Sequence, residues 1–408
     1  MRNYPRAFWL LVAVMMIDRV GGTLIYPFFS LYLTGRFEIS MSEVGVLFAV
    51  FSIAGLVGSL LGGSFADRMG RRWMILLSLL ATSLSALAMG FVSSMGLFFL
   101  VAFISGLFAE AGTPAYHATV ADLLPPEKRA GGFSILRVGI NVSAAIGPLL
   151  GGLIATRSYL GLFATDAIVS MGAAAMVFVG LPETLPALKR QVISPKPPDD
   201  TSEIAERGYR SILRDTSFLL FFGLATLAWM VYVNMDTTLG VFLRDSRGIP
   251  PAGYGVLLAL NGVLVLALQF WVTRRSERYK PMLVMALGSL LFGIGFSLYG
   301  IVSGFVAFMV AMLIVTFGEM LTMPLSNALV SVMAPEDMRG RYNAFFGLSW
   351  VIAFGIGPYL GGLLLDNYSP SWLWYACGLV GALAATGFLW LHQRSKMVPL
   401  PIPLGEEA

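Results

Sequence analysis

Ionisable side chains interrupt several long apolar segments of this 408-residue chain. Those nearest the middle of such segments are Asp18, Arg19, Glu110 and Glu319, whereas Asp236 and Arg137 lie closer to segment ends. A charge at the centre of a bilayer costs several kcal/mol and is seldom kept without a function. A carboxyl group in a low-dielectric cavity can take up and release a proton near neutral pH. These residues are therefore the first candidates for proton and cation chemistry.

Asp18 stands directly before a basic residue, Arg19. We expect Asp18 and Glu110 to carry a coupling proton. When a carboxylate is ionised, Arg19 or Arg137 is expected to act as its competing cationic partner. A permanent ion pair that only holds helices together is the alternative, for Asp18 with either arginine and also for Glu110 and Glu319.

A substrate site is expected around the remaining acids, of which Glu319 or Asp236 would attract a cationic substrate. Polar and aromatic side chains in neighbouring segments complete this predicted site, namely Tyr26, Asn141, Tyr232, Asn261 and Trp350. Aromatic faces suit flat lipophilic cations. The same residues can instead serve as helix contacts or as an interfacial belt.

The composition shows which elements must position these residues. The chain is 57% hydrophobic and 12% charged, whereas a soluble domain has about 25% charged residues. A membrane helix needs roughly 20 mostly apolar residues, and twelve such segments can be placed, numbered here as spans 1 to 12. They lie near 7–33, 41–66, 73–95, 97–123, 130–156, 159–181, 216–243, 251–274, 281–302, 305–333, 341–365 and 371–392. The expected fold class is an all-α integral membrane protein, which excludes a soluble enzyme.

The distribution of Lys and Arg predicts the orientation of the spans. If the N-terminus is cytoplasmic, most basic residues fall in cytoplasmic loops, and the opposite side carries only Arg36, Arg157, Arg244 and Arg247. The positive-inside rule then places both termini in the cytoplasm and the protein in the cytoplasmic membrane. The same asymmetry explains the basic composition without a nucleic-acid partner.

The two halves of the chain repeat each other at a constant shift of 210 residues. The shift brings Pro114 onto Pro324 and Arg129 onto Arg339, and it aligns Gly147-Pro148-Leu149-Leu150-Gly151-Gly152 with Gly357-Pro358-Tyr359-Leu360-Gly361-Gly362. Each copy holds six spans, so both enter the bilayer from the same side. We therefore expect two pseudo-symmetric six-helix bundles, at 1–181 and 216–408, joined by a cytoplasmic linker at 182–215. The second bundle is expected to end in a short cytoplasmic tail.

The loop after span 2 contains a specific motif. It runs Gly63-Ser64-Phe65-Ala66-Asp67-Arg68-Met69-Gly70-Arg71-Arg72. This loop resembles the signature Gly-x-x-x-Asp-Arg-x-Gly-Arg-Arg of the major facilitator superfamily, and the resemblance extends over the whole chain through the repeat and the span count. From the residues, Gly63 permits close helix contact and Gly70 a tight turn.

The resemblance implies a conformational latch. In this family the carboxylate of the motif, which is Asp67 in this chain, holds the start of span 11, near Arg341. The arginines of the motif, Arg71 and Arg72, pair with an acid at the end of span 4, which is Asp122. Both contacts would exist in the outward-open state and break on switching. The alternative is that the charges, Arg68 included, only obey the positive-inside rule.

Span 5 carries a second motif, made by Gly147, Pro148, Gly151 and Gly152. It resembles the motif of the drug-proton antiporter branch, with Ser143 where a further glycine would stand. Proline bends a helix, and small residues let a neighbouring helix approach. A plain packing role is the alternative, because span 11 repeats the core of the motif.

These features together predict a proton-coupled secondary exporter of lipophilic, often cationic compounds that works by alternating access as a monomer. Its partners would be a small-molecule substrate, protons and the lipid bilayer, with no cofactor and no metal. The main alternative is a major-facilitator carrier for a sugar, metabolite or lipid, acting in uptake or flipping. A membrane enzyme or receptor is the third possibility, but the two histidines, His117 and His392, are far apart in the sequence.

Overall fold

A computed structural model describes residues 4–185 and 210–394, and it contains helices and no strands within those ranges. Twelve helical spans are long and apolar enough to cross a membrane, which confirms the predicted fold class. Spans 1 to 6 cover Arg6–Arg36, Met41–Met69, Arg71–Phe91, Met95–Leu123, Pro126–Ala155 and Tyr159–Gly180. Spans 7 to 12 cover Thr216–Thr237, Pro251–Ser276, Pro281–Ile301, Phe305–Met333, Glu336–Asn367 and Ser371–Arg394.

Four spans consist of more than one helical segment. Span 1 is divided into Arg6–Ile25, a 3-10 turn at Tyr26–Phe28 and Phe29–Arg36, and span 4 into Met95–Ala111 and Thr113–Leu123. Span 7 contains Thr216–Tyr232 and Asn234–Thr237 and is followed by Leu239–Arg247. Span 11 begins with a 3-10 turn at Glu336–Met338 before Arg339–Asn367. Pro27 and Pro114 stand at the first two breaks, where the missing N–H interrupts the helical hydrogen bonds.

The connection between spans 2 and 3 is a single residue, Gly70. Its backbone has φ 106° and ψ 152°, a conformation that is essentially restricted to glycine. The turn therefore requires a residue without a Cβ, as the motif predicts.

The first compact unit contains spans 1 to 6 together with Met235–Gly262 and Pro358–Leu363. Its core includes the fully buried side chains of Phe8, Leu11 and Val14 from span 1. Spans 2 and 4 approach closely, because a Cβ on Gly58 or Gly62 would collide with the backbone of Leu107 or Ala111.

The second compact unit holds the described residues 210–234, Val263–Gly357 and 364–394. Spans 9 and 12 pack closely at Gly293 and Gly381, where a Cβ on Gly381 would lie 2.6 Å from the Cα of Gly293. Aromatic rings fill this core, including Phe296 stacked on Trp374 with ring centroids 6.1 Å apart. The bundle boundaries predicted from the repeat stay a prediction, and residues 186–209 of the linker and the 395–408 tail lie outside the described residues.

The Gly70 turn yields a stability prediction. We expect Gly70→Ala to lower the free energy of unfolding by about 1–3 kcal/mol, because a side chain is strained at this φ. Thermal unfolding of the detergent-purified protein measures the effect. Gly172→Ala is the matched control, since a Cβ there meets no atom within 4 Å. Equal midpoints for the two variants would contradict the argument.

Candidate functional site

A buried polar cluster lies between spans 1 and 6 in the first unit. The hydroxyl of Ser170 donates a hydrogen bond to Asp18 Oδ1 at 3.2 Å. A second carboxylate, Asp166, stands one helical turn before Ser170 and is 7% exposed. Asp18 and Asp166 interact electrostatically, so the membrane interior of this unit holds two acids in one place.

Span 4 extends the cluster with titratable side chains. Tyr116 interacts electrostatically with Asp18 and Arg19, and His117 does so with Arg19 and Glu110. Glu110 itself accepts a hydrogen bond from the Thr113 hydroxyl at 3.3 Å. The structure therefore brings three of the four predicted proton-coupling residues into one network.

Arg137, the fourth predicted proton-coupling residue, is exposed on span 5. The electrostatic partner that acts on Asp18 is its sequence neighbour Arg19. This neighbour is the better candidate for the competing cation that we expected beside the carboxylate.

An aromatic cluster lies in the second unit. The indole rings of Trp229 and Trp350 stack with centroids 4.8 Å apart, and Tyr232 meets both rings edge-on at 6.3 Å. Phe292 continues the cluster, 5.6 Å from Tyr232. These aromatic faces belong to spans 7, 9 and 11.

A buried acid on span 10 follows a glycine that packs on this cluster. Glu319 of span 10 is 8% exposed. Its neighbour Gly318 packs on Phe292, whose Cδ1 would lie 2.9 Å from a Cβ at that glycine. Three of the predicted substrate residues, Tyr232, Glu319 and Trp350, therefore belong to one region of the second unit.

The other predicted substrate residues belong to the first unit. Tyr26 interacts electrostatically with Asp236 and packs against the Phe48 ring at 5.6 Å. Asn141 and Asn261 lie on spans 5 and 8, which approach closely because a Cβ on Gly262 would lie 2.5 Å from the Cα of Ala145. The predicted substrate residues thus divide between the two units.

The signature loop forms an ion-pair network at the ends of spans 2, 3 and 4. Arg71 lies 3.2 Å from Asp122 and 3.1 Å from Asp67. The Arg71 side chain is 9% exposed, whereas Asp122 is 30% and Asp67 59% exposed. Arg71 is therefore the buried centre of the network, and its role as a latch stays a prediction.

The segment after span 6 also contacts this loop. The Arg71 backbone N–H donates to Glu183 Oε1 at 3.0 Å, and the Thr184 hydroxyl donates to Asp122 Oδ2 at 3.0 Å. A carboxylate at a helix N-terminus is favourable, because it binds free N–H groups and opposes the helix dipole. Glu183 thus caps span 3.

The remaining motif residues have different surroundings. Arg72 donates to the carbonyl oxygen of Phe178, and its guanidinium lies over the rings of Trp73 and Phe178. Arg68 is exposed. The close helix contact expected at Gly63 is instead made by its neighbours Gly58 and Gly62, because a Cβ on Gly63 would make only an ordinary contact to Pro114, at 3.9 Å.

The span 5 motif packs on span 1. Gly147 faces Thr23, and Gly151 faces the Leu24 carbonyl and the Phe28 ring. The Thr23 hydroxyl donates to the Ser143 carbonyl oxygen at 3.0 Å. Pro148 lies inside a continuous helix, Pro126–Ala155.

The same motif also contacts span 8 within the first unit. A Cβ on Gly255 would lie 2.5 Å from the Pro148 carbonyl oxygen, and one on Gly152 would lie 3.1 Å from the Gly255 Cα. The 210-residue shift relates this pair to Gly362 and Gly45. A Cβ on Gly362 would lie 2.5 Å from the Met41 backbone, and one on Gly45 would collide with the Tyr359 Cα. Equivalent glycines therefore make equivalent helix contacts in the two repeats.

Arg244 holds the segment after span 7 against the end of span 1. Its guanidinium donates to the Leu31 carbonyl oxygen and the Thr34 hydroxyl, both at 3.0 Å. Hydrogen bonds from the guanidinium to the Asp245 carboxylate raise the pKa of Arg244 above its ordinary value. The charge that makes these contacts is thus held in place.

An apolar groove of about 750 Å³ lies apart from these carboxylates. It opens between spans 2, 3 and 6 and is lined by Met69, Trp73, Leu76, Leu77, Leu80, Met171, Ala174, Ala175 and Phe178. Its lining carries no acid, so it offers no proton or cation chemistry.

Sequence reasoning missed three residues that the structure places in these networks: Asp166, Glu183 and Arg244. Asp166 was within reach, since an acid inside predicted span 159–181 meets the criterion that selected Asp18. Glu183 and Arg244 carried no local signal, because their partners are distant in sequence.

Twelve spans with acids inside them and helices packed through glycine define a polytopic membrane protein. The chain belongs to the Major Facilitator Superfamily, whose family model matches residues 11–340 and 225–407. This membership agrees with the signature loop after span 2.

Two relatives align along nearly the whole chain. A Na(+), Li(+), K(+)/H(+) antiporter of Planococcus maritimus is 27% identical over 398 residues, covering 90% of this chain and 91% of its own. The multidrug resistance protein MdtH of Shigella flexneri is 25% identical over 403 residues, covering 97% and 96%.

Solved structures share the fold at low identity. A nucleoside transporter, NupG, superposes with a TM-score of 0.81 at 12% identity, covering 95% of this chain and all of its own. A POT family transporter has a TM-score of 0.80 at 14% identity, covering 96% and 97%. These likenesses establish the fold of the chain and not its substrate.

The ion-pair network predicts a specific coupling. We expect Arg71→Ala to lower the free energy of unfolding by about 1–2 kcal/mol. The loss is smaller than for a fully buried ion pair, because Asp122 is partly exposed to solvent. A double-mutant cycle with Asp122→Ala should give a non-additive coupling energy, because the two side chains are in contact. Arg68→Ala is the control from the same motif, and it should be additive with Asp122→Ala. If the effects of Arg71→Ala and Asp122→Ala were also additive, the ion pair between Arg71 and Asp122 would contribute nothing to stability.

Proposed function

We propose that this protein is a proton-driven antiporter that exports lipophilic, often cationic compounds across the cytoplasmic membrane by alternating access. It acts as a monomer, with both termini in the cytoplasm. The observation that carries the proposal is the buried Glu319, which directly follows the glycine that packs on Phe292. Phe292 belongs to the aromatic cluster of Trp229, Tyr232 and Trp350. A buried acid next to aromatic faces suits a flat organic cation.

Proton coupling is assigned to the other unit. The network of Asp18, Arg19 and Glu110 contains carboxylates whose charge a proton can cancel, and a buried charge is costly. The substrate cation and the proton would bind to separate acids. Transport of one can drive transport of the other if the two bind preferentially to different conformations of the protein. The MdtH relative supports export, because it carries the name of a multidrug resistance protein.

Exchange of an alkali cation for a proton is the second candidate function. The Planococcus maritimus relative favours it, since that protein is named as a Na(+), Li(+), K(+)/H(+) antiporter. Transport assays in proteoliposomes that hold a pH gradient distinguish these two functions. Ethidium uptake into the proteoliposomes by inside-out protein indicates drug export. Collapse of the pH gradient on adding NaCl or KCl indicates alkali-cation exchange.

The substrate acid yields a prediction in the drug assay. We expect Glu319→Gln to raise the KM for ethidium about tenfold, because losing one charge attraction of roughly 1.4 kcal/mol changes affinity by that factor. Initial transport rates in proteoliposomes measure it. Glu336→Gln is the control, since the Glu336 side chain is 91% exposed. A wild-type KM in the Glu319 variant would refute its role in substrate binding.

The proton acid yields a different prediction. We expect Asp18→Asn to abolish uphill ethidium transport driven by a pH gradient while ethidium exchange without a gradient continues, because the amide cannot ionise. The exposed Asp337→Asn variant should keep both activities. Uphill transport at the wild-type rate by the Asp18 variant would remove Asp18 from the coupling mechanism.

A further inference from the structure

Asp166 has no role in the function proposed above, yet its carboxylate is buried within span 6. The residue is 7% exposed, and its Oδ1 has no hydrogen-bond partner within the described part of the chain. An ionised carboxylate oxygen without a donor is costly in a low-dielectric interior. This oxygen needs either a proton or a ligand.

The unpartnered oxygen points at the site that holds Asp18. It lies against Gly21 of span 1, where any Cβ would collide with it. The same Cβ would lie 3.5 Å from the hydroxyl of Ser170, which is bonded to Asp18. Gly21 therefore makes the space in which the two carboxylates and the serine hydroxyl meet.

The charges around this space can be followed helix by helix. Span 1 contributes Asp18 and Arg19, and span 4 contributes Tyr116, whose buried hydroxyl also has no partner within the described residues. Span 3 carries its ionisable residues, Arg71 and Arg72, only in its first turn. Next to Asp166, span 3 contributes only a neutral group, the Ser83 hydroxyl, which donates a hydrogen bond to the Ala167 carbonyl oxygen.

Span 5 also packs on span 6. Its ionisable side chains are Glu127, Lys128 and Arg129 in the first turn and the exposed Arg137. Span 4 also carries Glu110 and His117, and His117 interacts with Arg19 and Glu110. The charged groups that act on the two aspartates are Arg19 on Asp18 and Asp18 on Asp166. The site itself therefore holds two acids and one arginine. If both acids are ionised, the site has one negative charge in excess.

We infer that Asp166 is a second proton-binding carboxylate, which shares with Asp18 a site for one exchangeable proton, between spans 1 and 6. The proton cancels the excess negative charge and gives the unpartnered oxygen an O–H. The site extends the proton coupling proposed above, but its protonation is measurable without any substrate or transport.

Infrared spectroscopy of the detergent-purified, substrate-free protein tests the inference. A protonated carboxyl group has a C=O stretch distinct from that of a carboxylate, and ¹³C-aspartate labelling assigns the band to aspartate. At neutral pH we expect the wild type to show such a band, which alkaline pH removes. Asp166→Asn should lose it, and the exposed Asp337→Asn variant should retain it.

The Ser170→Ala variant, which lacks only a hydroxyl group, allows a second measurement. We expect it to shift the frequency of the band, because Ser170 bonds one of the two acids. Size-exclusion chromatography checks that each variant is folded. A band unchanged in both Asp166→Asn and Ser170→Ala would overturn the inference.

A third measurement tests whether the site binds sodium instead of a proton. Replacing choline chloride by NaCl at constant ionic strength should leave the wild-type band in place at neutral pH. Loss of the band on adding NaCl would overturn the assignment to a proton and identify an alkali-cation site. None of these results depends on ethidium transport, so failure here is distinguishable from failure of the proposed export function.

Discussion

A bilayer interior offers no water to hydrogen-bond with polar groups, and the whole structure follows from this constraint. The backbone satisfies itself in helices, and buried hydroxyls donate to nearby carbonyls, as Thr119 does to Ala115 at 2.7 Å. Ser83 and Tyr32 donate across helices to backbone oxygens. Some buried polar atoms within the described residues have no such partner, among them Asp166 Oδ1 and the Tyr116 hydroxyl. A polar atom left unsatisfied here is retained at a cost.

Glycine provides the complementary device. Helices in lipid gain little from hydrophobic burial against each other, so they associate through close packing and hydrogen bonds. Gly152 against Gly255, and Gly362 against Met41, bring backbones within contact at repeat-related places. In the first unit these contacts and Arg244 join segments from both copies of the repeat. The repeat is thus visible in the packing as well as in the sequence.

The buried acids are divided between the two compact units. The first holds Asp18 and Asp166 with Arg19, and Glu110 joined to them through His117. The second holds Glu319 and a pair of stacked indoles. An arginine beside a carboxylate competes with a proton for it, whereas aromatic faces favour an organic cation. The two environments are therefore chemically suited to different ligands, as the proposed antiport requires.

The sequence alone determined the fold class, the twelve spans and the signature loop, because hydropathy and turn residues act locally. Gly70 shows this best, since its φ of 106° follows from a one-residue turn. Tertiary structure decided which polar groups meet: Ser170 with Asp18, Glu183 with the start of span 3, and Gly58 and Gly62 in place of Gly63. These contacts depend on how each helix is rotated about its axis, and that rotation is set by packing across residues distant in sequence.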